Sequence, residues 1–196
     1  VPVRNEFSEQ YGDVTLRKAV AESINTAFVD MTESMNNGPA AVIKAANDAG
    51  APTGAGWDAN NRIALGAAEV SPLNMANAYA SLADSGKRKE THFVAKVLDR
   101  NGNTVYEAKN EATQAIEENV AANVTDALTS VVEEGTGAKA SQLNRPVAGK
   151  TGTNGVDDTI TSAWFVGYTR QISTAVMYVA GDSGNENLDA YKKPGD

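Results

Sequence analysis

The sequence Arg145-Pro-Val-Ala-Gly-Lys-Thr-Gly-Thr153 decides how the rest of the chain is interpreted. Three apolar residues lead into a lysine, two threonines and a glycine. Because side chains alternate between the two faces of a strand, Thr151 and Thr153 would share one face, while Lys150 would have room to fold over Gly152. Glycine weakens a strand interior, so Gly152 indicates a place where another backbone comes close.

Such a strand suits a bound peptide that ends in a carboxylate. The peptide could pair with the strand through backbone hydrogen bonds, and the threonine hydroxyls and the Lys150 ammonium would hold its negative end. The alternative is an ordinary edge strand with a solvated lysine. Lys-Thr-Gly occurs by chance in about one chain in twenty of this length at average residue usage. Other parts of the sequence are therefore needed to choose between these two interpretations.

Composition excludes several classes of function. The chain has 196 residues, of which 41% are hydrophobic and 21% are charged, as is usual for a globular protein. Its net charge of −8 argues against a nucleic-acid surface, and the one basic run, Lys87-Arg88-Lys89, is interpreted as a solvated helix end. The absence of cysteine excludes thiol catalysis and cysteine-based metal sites. With His92 as the single histidine, we expect neither a metal site nor another cofactor.

Apolar residues at helical spacing, together with capping residues, predict five helices in the chain. These lie after Thr15, after Ser23-Ile-Asn-Thr26, over residues 40–49, from Ser71-Pro72 to Gly86, and over Val120–Val131. The hydroxyl and amide side chains at the joint between the first two helices could face a cleft instead of merely capping a helix. Gly135-Thr-Gly137, after the last helix, is interpreted by default as a plain helix stop.

Two regions have the period of β-strands. His92–Leu98 and Thr104–Glu107 flank an Asn-Gly pair, which predicts a β-hairpin with His92 at the surface. Near the C-terminus, aromatic and β-branched residues predict two antiparallel strands, Ala163–Tyr168 and Ile172–Val179, after a polar loop over Asn154–Thr161. Helices first and an antiparallel sheet last indicate an α+β fold.

The order of two short motifs along the chain indicates a protein family. Ser23-x-Asn25 followed well downstream by Lys150-Thr-Gly152 resembles the second and third motifs of the penicillin-interacting serine acyltransferases. The resemblance continues between the motifs and covers the chain from about Val14 to Gly181. Further segments that look like the transpeptidase domain of class A penicillin-binding proteins are Thr15–Ala19, Ile63–Leu73, Ala78–Ala80, Glu134–Gly137 and Ser162–Tyr168.

This resemblance implies a penicillin-binding/serine β-lactamase-like transpeptidase fold, an antiparallel sheet flanked by helices. It also implies D,D-transpeptidase activity. In that family, the serine of a Ser-x-x-Lys motif attacks a D-alanyl-D-alanine stem peptide of peptidoglycan and forms an acyl-enzyme. An amine from another stem peptide resolves the acyl-enzyme and cross-links the wall, and β-lactams acylate the same serine.

The resemblance also assigns roles to residues of this sequence. Ser23 would relay a proton to the departing D-alanine amine, and Asn25 would hold a substrate amide. Lys150 would supply a cation that lowers the pKa of the lysine of Ser-x-x-Lys, which can then act as the base for the serine.

Three neighbouring residues, Thr151, Gly152 and Thr153, would bind the substrate or a β-lactam. The two threonine hydroxyls would hold the terminal carboxylate. The Thr153 N–H would supply half of an oxyanion hole.

One part of the family pattern is absent from the sequence: no serine has a lysine three positions later. We therefore expect an upstream segment, in a second chain or in a preceding part of the protein, to supply the nucleophile and complete the sheet. Residues 1–196 are interpreted as a partial transpeptidase domain, cut at both ends, that is inactive by itself. The N-terminal part and the C-terminal helix of the domain would be missing.

The expected partners are peptidoglycan stem peptides, β-lactam antibiotics and the companion segment that carries the nucleophile. The family setting implies an N-terminal membrane anchor and a glycosyltransferase domain ahead of this one, on the extracytoplasmic face of a bacterial cell membrane. The sequence itself contains no signal peptide and no membrane-spanning stretch.

Other fates of an acyl-enzyme remain as alternatives: a D,D-carboxypeptidase, a β-lactamase or a penicillin sensor. A β-lactamase needs a deacylating carboxylate on a loop, and the nearest loop acids, Asp157 and Asp158, are interpreted as solvated charges. A third alternative, from another class, is a non-catalytic binding domain that kept the fold and lost its nucleophile.

Overall fold

Within residues 2–6, 9–156 and 159–191, which the computed structural model describes, there are five α-helices and a three-stranded antiparallel sheet, against which the last two helices pack. The α-helices are α1 (Leu16–Ala21), α2 (Asn25–Ser34), α3 (Gly38–Ala49), α4 (Pro72–Ala83) and α5 (Glu118–Glu133). The strands are β1 (Lys87–Arg88), β2 (Lys96–Leu98), β3 (Thr104–Glu107), β4 (Thr113–Gln114), β5 (Ala148–Val156), β6 (Thr159–Tyr168) and β7 (Ser173–Val179). Short 3₁₀ helices cover Asn61–Leu65, Ala138–Leu143 and Leu188–Tyr191.

The predicted helices are confirmed, and α1 and α4 begin with side-chain caps, whereas α2 begins without one. The Thr15 hydroxyl accepts a hydrogen bond from the Lys18 N–H at the start of α1 (3.2 Å). The Ser71 hydroxyl does the same for the Asn74 N–H at the start of α4 (3.2 Å), where a proline fills the first helical position. Helix α2 begins directly after Ser23 and Ile24, so α1 and α2 form the consecutive pair that the sequence predicts.

The sheet has the strand order β5–β6–β7, and Lys150 lies opposite Val166 in its register. The predicted polar loop over Asn154–Thr161 is wrong, because β5 continues to Val156 and β6 begins at Thr159. Polar side chains are compatible with a strand here because residues 153–155 are exposed, so backbone pairing proceeds without burying them. Asp157 and Asp158 lie outside the described residues.

The region between α4 and α5 forms two small antiparallel pairs: β1 pairs with β4, and β2 pairs with β3. The second pair is the predicted hairpin: β3 has the predicted bounds, and β2 covers only the last three residues of the predicted first strand. The Asp99 carboxylate accepts hydrogen bonds from the N–H groups of Asn101 and Asn103 (2.8 Å each), which fixes the turn. His92 is exposed ahead of β2, as expected.

The core that positions the C-terminal strands lies between α1, α5 and the start of β5. Val131 of α5 is fully buried, and such burial stabilises the fold by roughly 2 kcal/mol. Leu128 of α5 forms a buried cluster with Ala148 and Tyr168 of the sheet. The Tyr168 hydroxyl is paired with the Thr125 hydroxyl of α5 at 2.7 Å, so the buried phenol is satisfied.

Two kinds of feature are absent from the described residues. No helix in that part of the chain is long and apolar enough to cross a lipid bilayer. The same residues contain no group of three or more His, Cys, Asp or Glu side chains that could hold a metal ion.

Two glycines with the same backbone angle test how tightly the region after α4 is packed. Gly86 and Gly102 both have φ of 84°. A Cβ on Gly86 would lie 2.1 Å from the Ile116 carbonyl oxygen, whereas a Cβ on Gly102 would meet nothing within 4 Å. Gly102→Ala should therefore cost about 1 kcal/mol for the left-handed backbone, and Gly86→Ala about 2 kcal/mol more. Urea unfolding measures both; equal losses would contradict the packing of Gly86.

Candidate active site

Ser23 lies in the short connection between α1 and α2 with φ of 57°, a left-handed conformation that is costly for a residue other than glycine. Its neighbours hold it there. The Ser23 N–H donates to the Val20 carbonyl (3.3 Å), and the Ile24 N–H donates to the Ala19 carbonyl (3.0 Å). The Ile24 side chain is fully buried. A strained residue fixed by its surroundings is typical of functional sites.

Lys150 of β5 reaches this joint directly. Its Nζ donates a hydrogen bond to the Ser23 Oγ at 2.8 Å and a second one to the Thr151 carbonyl at 3.1 Å. Ser23 and Lys150 are 127 positions apart in the sequence. The fold thus brings the Ser-x-Asn and Lys-Thr-Gly motifs into contact.

The ammonium of Lys150 is largely removed from water. Burial lowers the pKa of Lys150 to about 8, and the carboxylate of Glu6 opposes this shift. Lys150 is therefore still mainly a cation at pH 7. A desolvated cation beside a hydroxyl is well suited to attract an anionic ligand, because its charge is weakly screened.

The hydroxyl of Thr151 contacts a residue that the sequence interpretation did not assign to the site. Thr136 Oγ1 lies 2.6 Å from Thr151 Oγ1, and the Thr136 N–H donates to the Ala21 carbonyl at 3.1 Å. Interpreting Gly135-Thr-Gly137 as a plain helix stop is therefore incomplete. The resemblance of Glu134–Gly137 to the transpeptidase domain indicated that this turn matters. The residue types alone gave no reason to place a hydroxyl against β5.

Asn25, the first residue of α2, faces the N-terminal segment. Its Nδ2 donates to the Arg4 carbonyl at 3.0 Å. The next residue, Thr26, donates through its N–H (3.0 Å) and its hydroxyl (3.1 Å) to the Asn5 Oδ1. The segment around Arg4 and Asn5 thus lies beside the Ser-x-Asn motif, a contact that the sequence pattern did not predict.

The remaining two predicted residues follow along β5. Thr153 is exposed, and the period of a strand places it on the same face as Thr151. Gly152 lies opposite Trp164, and a Cβ at position 152 would come 3.3 Å from the Trp164 Cβ. Within the described residues the neighbour that crowds Gly152 is the Trp164 side chain, and the approach of a bound peptide backbone stays a prediction.

Comparison with known proteins identifies the class. The family model described as the penicillin binding protein transpeptidase domain matches residues 3–194. The chain therefore belongs to the transpeptidase domain family of the penicillin-binding proteins, and the resemblance inferred from the motifs is confirmed.

Among curated relatives, penicillin-binding protein 1A of Mycolicibacterium smegmatis is 35% identical over 192 residues, which cover 90% of this chain and 24% of the relative. Penicillin-binding protein 1A of Aquifex aeolicus is 36% identical over 173 residues, which cover 88% of this chain and 23% of the relative. The chain thus spans about a quarter of the length of these relatives.

The solved structure of the PonA1 protein from Mycobacterium tuberculosis in complex with penicillin V matches with a TM-score of 0.82 and 33% identity. The match covers 95% of this chain and 52% of that chain. Penicillin-binding protein A of M. tuberculosis, solved as an imipenem acyl-enzyme complex, shares the fold at 20% identity, with a TM-score of 0.75 and coverage of 95% of this chain and 48% of that chain. The predicted α+β transpeptidase fold is confirmed.

The lowered pKa of Lys150 has a consequence for stability. Between about pH 8 and the usual lysine value of 10.5, the unfolded chain binds more protons at this residue than the folded one, so this residue makes the free energy of unfolding rise with pH. A Lys150→Met variant should lack that rise. Urea unfolding of both proteins from pH 7 to 10 measures it. A difference between the two that stays constant over this range would contradict the lowered pKa.

The backbone of Ser23 gives a second test. Ser23→Gly and Ser23→Ala both remove the hydroxyl that Lys150 contacts, but only glycine adopts φ of 57° without strain. The glycine variant should therefore be more stable than the alanine variant by about 1 kcal/mol. Free energies of unfolding from urea titrations compare the two. An alanine variant as stable as the glycine variant would show that the joint relaxes and stores no strain.

Proposed function

We propose that this chain is the D,D-transpeptidase portion of a peptidoglycan synthase, which forms a serine acyl-enzyme with D-alanyl-D-alanine stem peptides and is acylated by β-lactams. The observation that carries the proposal is the 2.8 Å hydrogen bond from Lys150 Nζ to Ser23 Oγ. It brings the Ser-x-Asn and Lys-Thr-Gly motifs, which are 127 positions apart in the sequence, together in one site.

Ser23 is suited to relay a proton. A hydroxyl has one proton to donate and can accept bonds at its oxygen. The oxygen of Ser23 accepts from the Lys150 ammonium, so its own proton is available for another acceptor. In the proposed reaction that acceptor is the departing D-alanine nitrogen, and the nearby cation makes the hydroxyl a better acid.

The terminal carboxylate of the stem peptide, or that of a penicillin, would lie against β5. Lys150 supplies a poorly screened positive charge, and Thr151 and Thr153 supply hydroxyl donors on one strand face. Charge-assisted hydrogen bonds of this kind are stronger than neutral ones. Asn25 would hold a substrate amide through its side-chain Oδ1, since its Nδ2 donates to the Arg4 carbonyl. The Thr153 N–H would supply part of the oxyanion hole.

The nucleophile is proposed to come from a segment outside residues 1–196 that also completes the sheet. Strand β7 supports this part of the proposal. It is an edge of the sheet within the described residues, and its last four residues, Val176–Val179, are apolar and all exposed, from 36% for Met177 to 68% for Tyr178. An apolar edge strand is a template for pairing with another strand.

The proposal also includes the cellular location of the domain and the protein to which it belongs. As part of a longer synthase, the domain would act on the extracytoplasmic face of the bacterial cell membrane, held by an N-terminal anchor and preceded by a glycosyltransferase domain. Stem peptides and β-lactams would be its ligands. The shared family and the similarity to penicillin-binding proteins 1A support this setting.

Intact-mass and peptide-mass spectrometry of the full-length protein after incubation with a penicillin tests the proposal. We expect a covalent adduct on a peptide outside residues 1–196. Lys150→Ala should abolish the adduct, because the cation that serves both the base and the carboxylate is lost. Lys139→Ala, which removes an exposed lysine from the 3₁₀ helix over Ala138–Leu143, is the matched control and should leave the adduct unchanged.

Each other outcome would overturn part of the proposal. An adduct on a peptide within residues 1–196 would mean that the nucleophile lies in this chain. The absence of any adduct on the full-length protein would favour a non-catalytic binding domain. An adduct that forms normally in a folded Lys150→Ala variant would remove the role assigned to Lys150.

A further inference from the structure

The turn formed by Gly135, Thr136 and Gly137 touches both halves of the proposed site. On one side, the Thr136 N–H donates to the Ala21 carbonyl at the end of α1 (3.1 Å), two residues before Ser23. On the other side, the Thr136 hydroxyl lies 2.6 Å from the Thr151 hydroxyl on β5. One residue therefore connects the helix that presents Ser23 to the strand that presents Lys150.

We propose that Thr136 is a positioning residue, whose hydroxyl donates to Thr151 Oγ1 and so directs the Thr151 proton to the terminal carboxylate of the substrate or β-lactam. This inference rests on the function proposed above and extends it to a residue outside the three family motifs. Thr136 acts through Thr151 and is not itself a catalytic residue.

Proton counting gives the direction of this hydrogen bond when an anion is bound. Each hydroxyl has a single proton, so in the pair one oxygen donates and the other accepts. If Thr151 donated to Thr136, the Thr151 proton would not be available to the ligand. The Thr151 oxygen would then present only lone pairs to the carboxylate. If Thr136 donates, Thr151 can donate to the anion. A chain of donors that ends on a negative charge is the favoured arrangement, because each bond strengthens the next.

The backbone around Thr136 holds this hydroxyl in place. A Cβ on Gly135 would lie 2.2 Å from the Ala21 carbonyl oxygen, so the turn approaches α1 as closely as only glycine permits. The Gly137 N–H donates to the Val131 carbonyl at 2.9 Å, and Val131 is fully buried in α5. A donor that is fixed before the ligand arrives loses little entropy on binding.

If the role of Thr136 were purely structural, a different result would be expected. A hydroxyl bond that only joins two elements would affect every ligand of the site alike. A hydroxyl that orients a carboxylate donor would affect ligands that carry the carboxylate and spare ligands that lack its charge. The inference can therefore be tested by comparing two ligands that differ only at that group.

The test uses the full-length protein with a penicillin and with the methyl ester of the same penicillin. Thr136→Val, which keeps the shape and removes the hydroxyl, should lower the second-order acylation rate for the free acid about tenfold, the size of one hydrogen bond to a charged group. The rate for the ester should change by less than about twofold, because the ester carries no negative charge to attract the Thr151 proton. Thr136→Ser, which restores the hydroxyl, should recover the rate for the acid.

Two further variants make the test specific. Thr125→Val removes a threonine hydroxyl from another hydroxyl pair, with Tyr168 at 2.7 Å, and should leave the ratio of acid to ester rates unchanged. The double variant Thr136→Val/Thr151→Val should be no slower with the acid than Thr151→Val, because Thr136 acts through Thr151. Thermal unfolding of each variant shows that it is folded.

The outcomes separate this inference from the proposed function. Four results would each overturn the role of Thr136 while leaving the acyl-enzyme function in place. They are equal rate losses for acid and ester, no loss in Thr136→Val, no recovery in Thr136→Ser, and additive losses in the double variant. A wild-type full-length protein that forms no adduct with the acid would overturn the proposed function, and this inference with it.

Discussion

The hydrogen bond between Lys150 and Ser23 is the interaction on which the rest of the site depends. Its 2.8 Å length requires the end of α1 and the middle of β5 to be held at a fixed separation, because a long lysine side chain that is not held in place gains hydration by moving its ammonium into water. Burial of the ammonium is tolerated since the Ser23 hydroxyl and the Thr151 carbonyl accept its protons. The same burial lowers its pKa to about 8.

Helix α5 provides that separation. It packs against α1 on one side and β5 on the other, and Val131 and Leu128 are buried between them. The turn that follows α5 adds the contacts of Thr136 to both elements. Rigid elements with buried contacts position side chains more precisely than loops do. This explains how a motif at a helix joint and a motif on a strand stay at a fixed distance from each other.

Much of the fold could be predicted from the sequence because its signals are local. Helix caps such as Ser71, the hairpin turn and the alternating pattern of the C-terminal strands depend on a few neighbouring residues. The error over Asn154–Thr161 has the opposite cause. Polar residues favour a loop locally, but pairing between β5 and β6 satisfies backbone groups on both strands while residues 153–155 remain exposed.

The sequence by itself determined the α+β class and the family, and it predicted Ser23, Asn25 and Lys150 as site residues, because residue types and motif order are properties of the chain. Only the tertiary structure decided that Lys150 Nζ contacts Ser23 and that Thr136 contacts Thr151. These contacts join residues that are distant in sequence, and no local pattern encodes them. They arise from the packing of α1, α5 and β5, whose buried apolar faces fix the distances that a hydrogen bond requires.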